Sequence, residues 1–85
     1  MIPTPYFVYI LECADGTLYT GIATDIARRF TEHASGKGSK YVFARGAKRI
    51  IYSEQCPDKG TALKREIAIK RLPRNKKLEL VRAHE

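Results

Sequence analysis

Cysteine is scarce in this chain, and the two that are present, Cys13 and Cys56, lack the paired spacing of a zinc site. Two lone thiols cannot build a disulfide framework either, so both are expected as small core residues. No apolar run approaches the twenty residues that a membrane-spanning helix needs. Nor is there a secretory signal pattern, and Pro3 and Pro5 interrupt the N-terminal stretch. These absences point away from a membrane and toward the reducing cytoplasm. Repeats, low-complexity stretches and long linkers are missing as well. With 85 residues there is apolar surface for one core only, so a single domain over residues 5–85 is expected, preceded by an extension at 1–4. Acidic residues are few, and they form no multi-carboxylate cluster, which disfavours a two-metal mechanism.

Basic charge is what the sequence has in excess. Sixteen Lys and Arg stand against nine Asp and Glu, for a net charge of +7. Lys37, Lys40, Arg45, Lys48 and Arg49 form one group, and Lys64, Arg65, Lys70, Arg71, Arg74, Lys76 and Lys77 another. A solvated basic face would account for some of this. Clustering on that scale is the footprint of a polyanionic partner, because phosphates neutralised by Lys and Arg release condensed counterions. A chain this short supports only a thin core, and its binding surface is expected as a shallow groove suited to a polymer.

Residues 6–13 (YFVYILEC) are β-branched and aromatic in a nearly continuous run, which reads as a central strand. Ala14-Asp15-Gly16-Thr17 signals a hairpin turn, and residues 18–23 return as the second strand. Thr24 or Asp25 caps a helix with Ile26, Phe30 and Ala34 at helical period, and Gly36 ends it. After the KGS loop, Ser39 caps a short helical turn closed by Gly46. Residues 48–56 form a third strand. A helix beginning at Asp58 or Thr61 and running to about Leu72 is expected to turn Ala62, Leu63, Ile67 and Ile69 inward, and Pro73 stops it. A last helix over about 75–83 packs Leu78, Leu80 and Val81. The order ββα(α)βαα predicts an α+β fold, a small three-stranded and mostly antiparallel sheet flanked by helices.

Within this frame, a few residues carry chemistry. Arg29 and His33 are spaced i, i+4 and share one face of their helix. An arginine grips phosphate oxygens, and a neutral histidine one turn away accepts a proton or orients a nucleophile. Tyr19 and Gly21 project to the same side of their strand, and the glycine leaves room for substrate or water beside the phenol. A tyrosine takes part in proton transfer only where neighbouring cations favour its ionised form, since its ordinary pKa is about 10. By propensity alone, Tyr9 and Tyr19 also read as ordinary half-buried strand aromatics. Glu66 sits on the inward edge of a helix whose other charges face out. It reads either as the ligand of a divalent cation or as an ion-pair partner of Arg65, Lys70 or Arg29.

Taken together, Phe7-Val8-Tyr9, Tyr19-Thr20-Gly21, Arg29, His33 and Glu66 resemble the GIY-YIG nuclease family in type and order. The resemblance spans residues 5–85, and it is to the short stand-alone members of the UPF0213 type. Phe7, Val8 and Thr20 depart from the name motif but keep strand character. The resemblance implies an endonuclease that hydrolyses DNA phosphodiester bonds with one Mg²⁺ or Mn²⁺ ion. Members joined to repair modules are the basis for expecting a place in DNA repair or recombination. It implies that Tyr9 and Tyr19 line the site, one of them as general base, and that Arg29 stabilises the scissile phosphate. His33 would assist proton transfer or position substrate, and Glu66 would be the single protein ligand of the metal. Gly21, Lys40, Arg45 and Asn75 complete the expected substrate-binding set, with DNA as partner. The alternative is a nucleic-acid-binding module of the same fold with little or no catalysis alone.

A shared site requires both phenols on one sheet face. A two-residue Asp15-Gly16 turn would place them on opposite faces. A three-residue loop, Ala14-Asp15-Gly16, with positive φ at Gly16, would pair Cys13 with Thr17 and Leu11 with Tyr19 and bring the phenols together.

Overall fold

The computed structural model describes residues 4–84. Of the expected extension over 1–4, all but Thr4 lies outside the described residues. The chain forms β1 (Tyr6–Cys13), β2 (Leu18–Ala23), α1 (Ile26–Ala34), α2 (Lys40–Arg45), β3 (Ala47–Cys56), α3 (Lys59–Lys70) and α4 (Arg74–His84). The strands make one sheet in the order β2-β1-β3, with both pairings antiparallel. The α+β architecture is the one the sequence pattern predicts. No helix among the described residues is long and apolar enough to cross a membrane.

Strand β1 is central and covered on both faces, which is why its sequence reads as an apolar run and not an alternation. Val8 and Ile10 point into one half of the core, with Tyr52, Cys56, Ala62, Ile69 and Val81. Tyr9, Leu11 and Cys13 point into the other, with Val42 and the partly buried Tyr19, Ile26 and Phe30. The cysteines are free and buried, one in each half.

The hairpin loop has three residues. Gly16 N–H donates to Cys13 O and Cys13 N–H to Thr17 O, each at 2.9 Å, and Gly16 has φ +86°. Asp15 fixes the turn by accepting from the Thr17 amide at 3.1 Å and its hydroxyl at 2.7 Å. Leu11 therefore opposes Tyr19, and Tyr9 opposes Gly21. Both phenols fall in the same core half, as the three-residue loop requires.

Asp25, Ser39 and Asp58 cap α1, α2 and α3, each accepting from the amide three residues on. One expectation for α3 fails. Ala62 and Ile69 are fully buried, but Leu63 is 39% and Ile67 49% exposed. The inward row is 62, 66, 69, spaced i, i+4, i+7, and Leu63 and Ile67 lie one residue round the cylinder from it. Glu66, with 17% of its side chain exposed, occupies the middle of that row.

Candidate active site

The half of the core under α1 and α2 holds a polar centre. His33 is fully buried, on the last turn of α1, one turn from Arg29. Its Nε2 lies 2.8 Å from Tyr9 Oη, across the space between helix and central strand. The loop before α2 folds back so that Ser39 N–H donates to Nδ1 at 3.2 Å. A backbone amide only donates, so Nδ1 carries the lone pair and the neutral ring bears its proton on Nε2. His33 therefore donates to Tyr9 Oη, and the phenol directs its own O–H elsewhere. Burial lowers the His33 pKa, with the Arg29 charge acting the same way.

Two glycines make this arrangement possible by having no side chain. A Cβ on Gly21 would stand 2.5 Å from Tyr9 Oη and 3.1 Å from the Tyr19 ring. The room at Gly21 is thus filled by Tyr9 itself, and the expected space for substrate or water at that point is absent. A Cβ on Gly38 would stand 2.6 Å from His33 Nδ1, blocking the approach of the Ser39 amide.

Charge is arranged around the Tyr9 phenol. Burial pushes its pKa up to about 12, Arg29 beside it pulls the other way, and the charges of Tyr19 and Glu66 push up again. Arg29 is fixed by Glu32, one turn further along α1, at 3.1 Å; that bond and the nearby phenol raise the guanidinium pKa. Glu66 lies on α3, whose Ala62 and Ile69 pack in the other half of the core, and pairs with Lys70 at 3.5 Å.

The outer wall is aromatic. The Tyr19 ring meets His33 edge-on at 5.2 Å and lies 6.4 Å from Tyr9. Tyr41, on α2, stacks outside Tyr19 at 6.2 Å and 30°, and the Arg45 guanidinium covers Tyr41 at 4.3 Å from the ring centre. Arg45 is itself held by Asp15 of the hairpin at 2.8 Å.

Tyr9, Tyr19, Gly21, Arg29 and His33 are thus gathered in one place, with Glu66 near enough for its charge to act on Tyr9. Lys40 and Arg45 are exposed at the two ends of α2. Asn75 is exposed in the first turn of α4, and its neighbour Arg74 donates to Gly16 O at 2.6 Å, which ties that turn to the hairpin tip. A groove of about 570 Å³ between β3 and α4, lined by Glu12, Arg49, Ile51, Leu78 and Val81, takes in none of these residues. The sequence reading missed Glu32, Gly38, Ser39 and Tyr41. The KGS spacing just past His33 was the available signal for Gly38 and Ser39, since a loop that short must pass over the helix end.

The donors fit a hydrated hard cation and not a dehydrated cage. Among the described residues, no three His, Cys, Asp or Glu side chains are grouped to hold a metal. Glu66 is one carboxylate, partly buried and tied only to a flexible lysine. On the face of β2 that α3 covers, Thr20 Oγ1 is buried without a hydrogen-bond partner. One carboxylate, with water and phosphate completing the shell, is a normal way to hold Mg²⁺.

Comparison with known proteins bears on the family and the fold. Residues 5–79 match the GIY-YIG catalytic domain. UPF0213 protein DP2720 of Desulfotalea psychrophila is 54% identical over 81 residues, 94% of this chain and 74% of that protein. UPF0213 protein SAG0778 of Streptococcus agalactiae is 44% identical over 85 residues, 100% of this chain and 97% of the other. The solution NMR structure of the UPF0213 protein BH0048 from Bacillus halodurans superposes with a TM-score of 0.60 at 47% identity, covering 93% of this chain and 84% of that one. A matching domain over nearly the whole chain, together with relatives at this identity, shows that the chain belongs to the GIY-YIG family, with a nuclease-type fold shared with proteins named UPF0213.

Proposed function

We propose that the protein is an endonuclease that hydrolyses DNA phosphodiester bonds with one divalent cation, Mg²⁺ or Mn²⁺, held by Glu66. The observation that carries this reading is the 2.8 Å bond between Tyr9 Oη and a histidine whose tautomer is set by Ser39 N–H. A structural tyrosine in a core needs one partner. This one has a fixed donor, a neighbouring guanidinium and a carboxylate, all acting on its oxygen.

Hydrolysis requires that a water lose a proton as its oxygen bonds to phosphorus, while the bond from phosphorus to the leaving sugar oxygen breaks. In its ionised form Tyr9 Oη is the proton acceptor in this reading, and the proton it takes from the water passes on to the leaving sugar oxygen. His33 Nε2–H and Arg29 both stabilise its oxyanion form. Arg29 also faces the scissile phosphate, where a preorganised charged donor stabilises charge that develops in the transition state. Tyr19 and Gly21 set the position of the Tyr9 ring. A divalent cation at Glu66 would supply charge that neutralises the phosphate and cancels the carboxylate's upward push on Tyr9.

The test is nicking of supercoiled and branched DNA with Mg²⁺ or Mn²⁺. Arg29→Ala should slow nicking by about 10²–10³-fold, as loss of one such donor does, and should reduce ground-state affinity far less. Tyr9→Phe should remove nicking and leave binding in place. A second reading, a binding module with little catalysis alone, draws on the Tyr9 pKa of about 12 and on the Glu66–Lys70 pair. Tight DNA binding with no nicking under either metal would favour it.

A further inference from the structure

We infer that Tyr41 and Arg45 of α2 form a subsite for an unpaired DNA base next to the cleaved phosphate; this rests on the nuclease reading above and deepens it. The aromatic wall of the site continues outward as a column. Tyr19 touches His33 at its inner end, Tyr41 stacks outside Tyr19 at 6.2 Å and 30°, and the guanidinium of Arg45 lies over Tyr41 at 4.3 Å. Tyr41 is 43% exposed and the Arg45 side chain 41% exposed, so the column ends in open solvent.

A core aromatic stack would be buried, and a solvated arginine would sample many rotamers. Here neither holds. Asp15 grips Arg45 Nη1 at 2.8 Å, and Asp15 is itself held by the amide and hydroxyl of Thr17. Those bonds, with Arg45 adding to them, keep the Asp15 pKa down at about 2, so the anchor stays ionised at any working pH. The hairpin tip thus spends its only carboxylate on fixing a planar cation against an aromatic ring. Flat π surfaces and guanidinium planes are what unstacked bases stack on. Lys40 at the start of α2 and Lys37 in the preceding loop are exposed on the same segment and offer charge to the flanking phosphates. A base still paired within a duplex cannot reach a surface of this kind, so the subsite selects single-stranded or locally opened DNA.

The test is fluorescence of a single-stranded DNA oligonucleotide carrying 2-aminopurine, titrated in EDTA so that no cleavage occurs. A fully paired duplex with the same label is the control. Native protein should quench the single strand. Tyr41→Leu, checked for folding by its melting temperature, should lose the quenching and bind that strand about 5- to 150-fold more weakly, the range for one base stack. Its affinity for the duplex should stay as in the native protein, and Tyr41→Phe should behave as native on both. Native-like quenching by folded Tyr41→Leu, or an equal loss on duplex and single strand, would overturn the subsite while leaving the nuclease reading intact. Failure of the native protein to bind either DNA would remove that reading, and the subsite with it.

Discussion

Tyr9 is the residue on which the chemistry turns, and its proton is tunable from two sides. Glu66 pushes its pKa up, so Glu66→Gln should lower it, measured by tyrosinate absorbance in an alkaline titration. An unchanged titration would place Glu66 too far away to act. The fixed tautomer of His33 gives a second outcome. Its folded pKa is depressed, so the unfolded chain binds the proton more readily. Stability from this group is present above the ordinary histidine pKa of about 6.5 and is lost as pH falls through the lower folded value. Melting temperature should therefore drop on acidification below about pH 6.5, and less so in a folded His33→Gln variant. Equal slopes in the two proteins would mean that the ring is not held neutral. Gly21→Ala forces a methyl group to within 2.5 Å of Tyr9 Oη. It should break the Tyr9–His33 bond and cost nicking more than DNA affinity.

At the level of elements, each helix is told by which of its faces is buried. For α3 the row through Ala62, Glu66 and Ile69 packs on the sheet, and Leu63 and Ile67 flank it in solvent. Ile69→Ala should cost about 2–5 kcal/mol in chemical denaturation, the range for emptying a buried aliphatic site. Ile67→Ala should cost much less, and a reversal would mean the helix sits in another rotation. The caps at Asp25, Ser39 and Asp58 follow from local chemistry. Ala14-Asp15-Gly16-Thr17 admits a two-residue or a three-residue loop, and the three-residue choice was readable only from the requirement that Tyr9 and Tyr19 share a face. The rotation of α3 was not readable, because apolar residues at 62, 63, 67 and 69 satisfy two neighbouring faces and only tertiary packing chooses between them. The register shifts of β3 against β1, between Ile10 and Leu11 and between Glu12 and Cys13, leave no sequence mark either. For the site, residue types and order pointed to Tyr9, Tyr19, Arg29, His33 and Glu66. Ser39 and Gly38 were missed because their role is a backbone amide and a missing side chain, which residue type does not mark, and only the short KGS spacing after His33 hinted at it. Gly21 was read as leaving space, and its space belongs to Tyr9.

Across the whole molecule, the charge is that expected for a polyanionic partner. The net charge is +7, and Lys37, Lys40, Arg45, Lys48 and Arg49 are all exposed on the α2–β3 side. Asp15 and Glu12 pair with three of these cations, which lowers the number free to meet phosphates. Lys37 and Lys40 remain in this group, and Lys64, Arg71, Arg74 and Lys77 of the second basic group have no ion-pair partner among the described residues, so raising salt from about 50 to 200 mM should weaken DNA binding by orders of magnitude. Affinity that stays level over that range would argue against a groove that follows the backbone. The central claim is hydrolysis through a single carboxylate-held cation, and the measurement that addresses it most directly is nicking by Glu66→Ala, with melting temperature and DNA affinity taken on the same preparation. The account predicts a folded protein that binds DNA as tightly as the native chain, or slightly more tightly, and does not nick it. Folded Glu66→Ala that nicks at the native rate would contradict it.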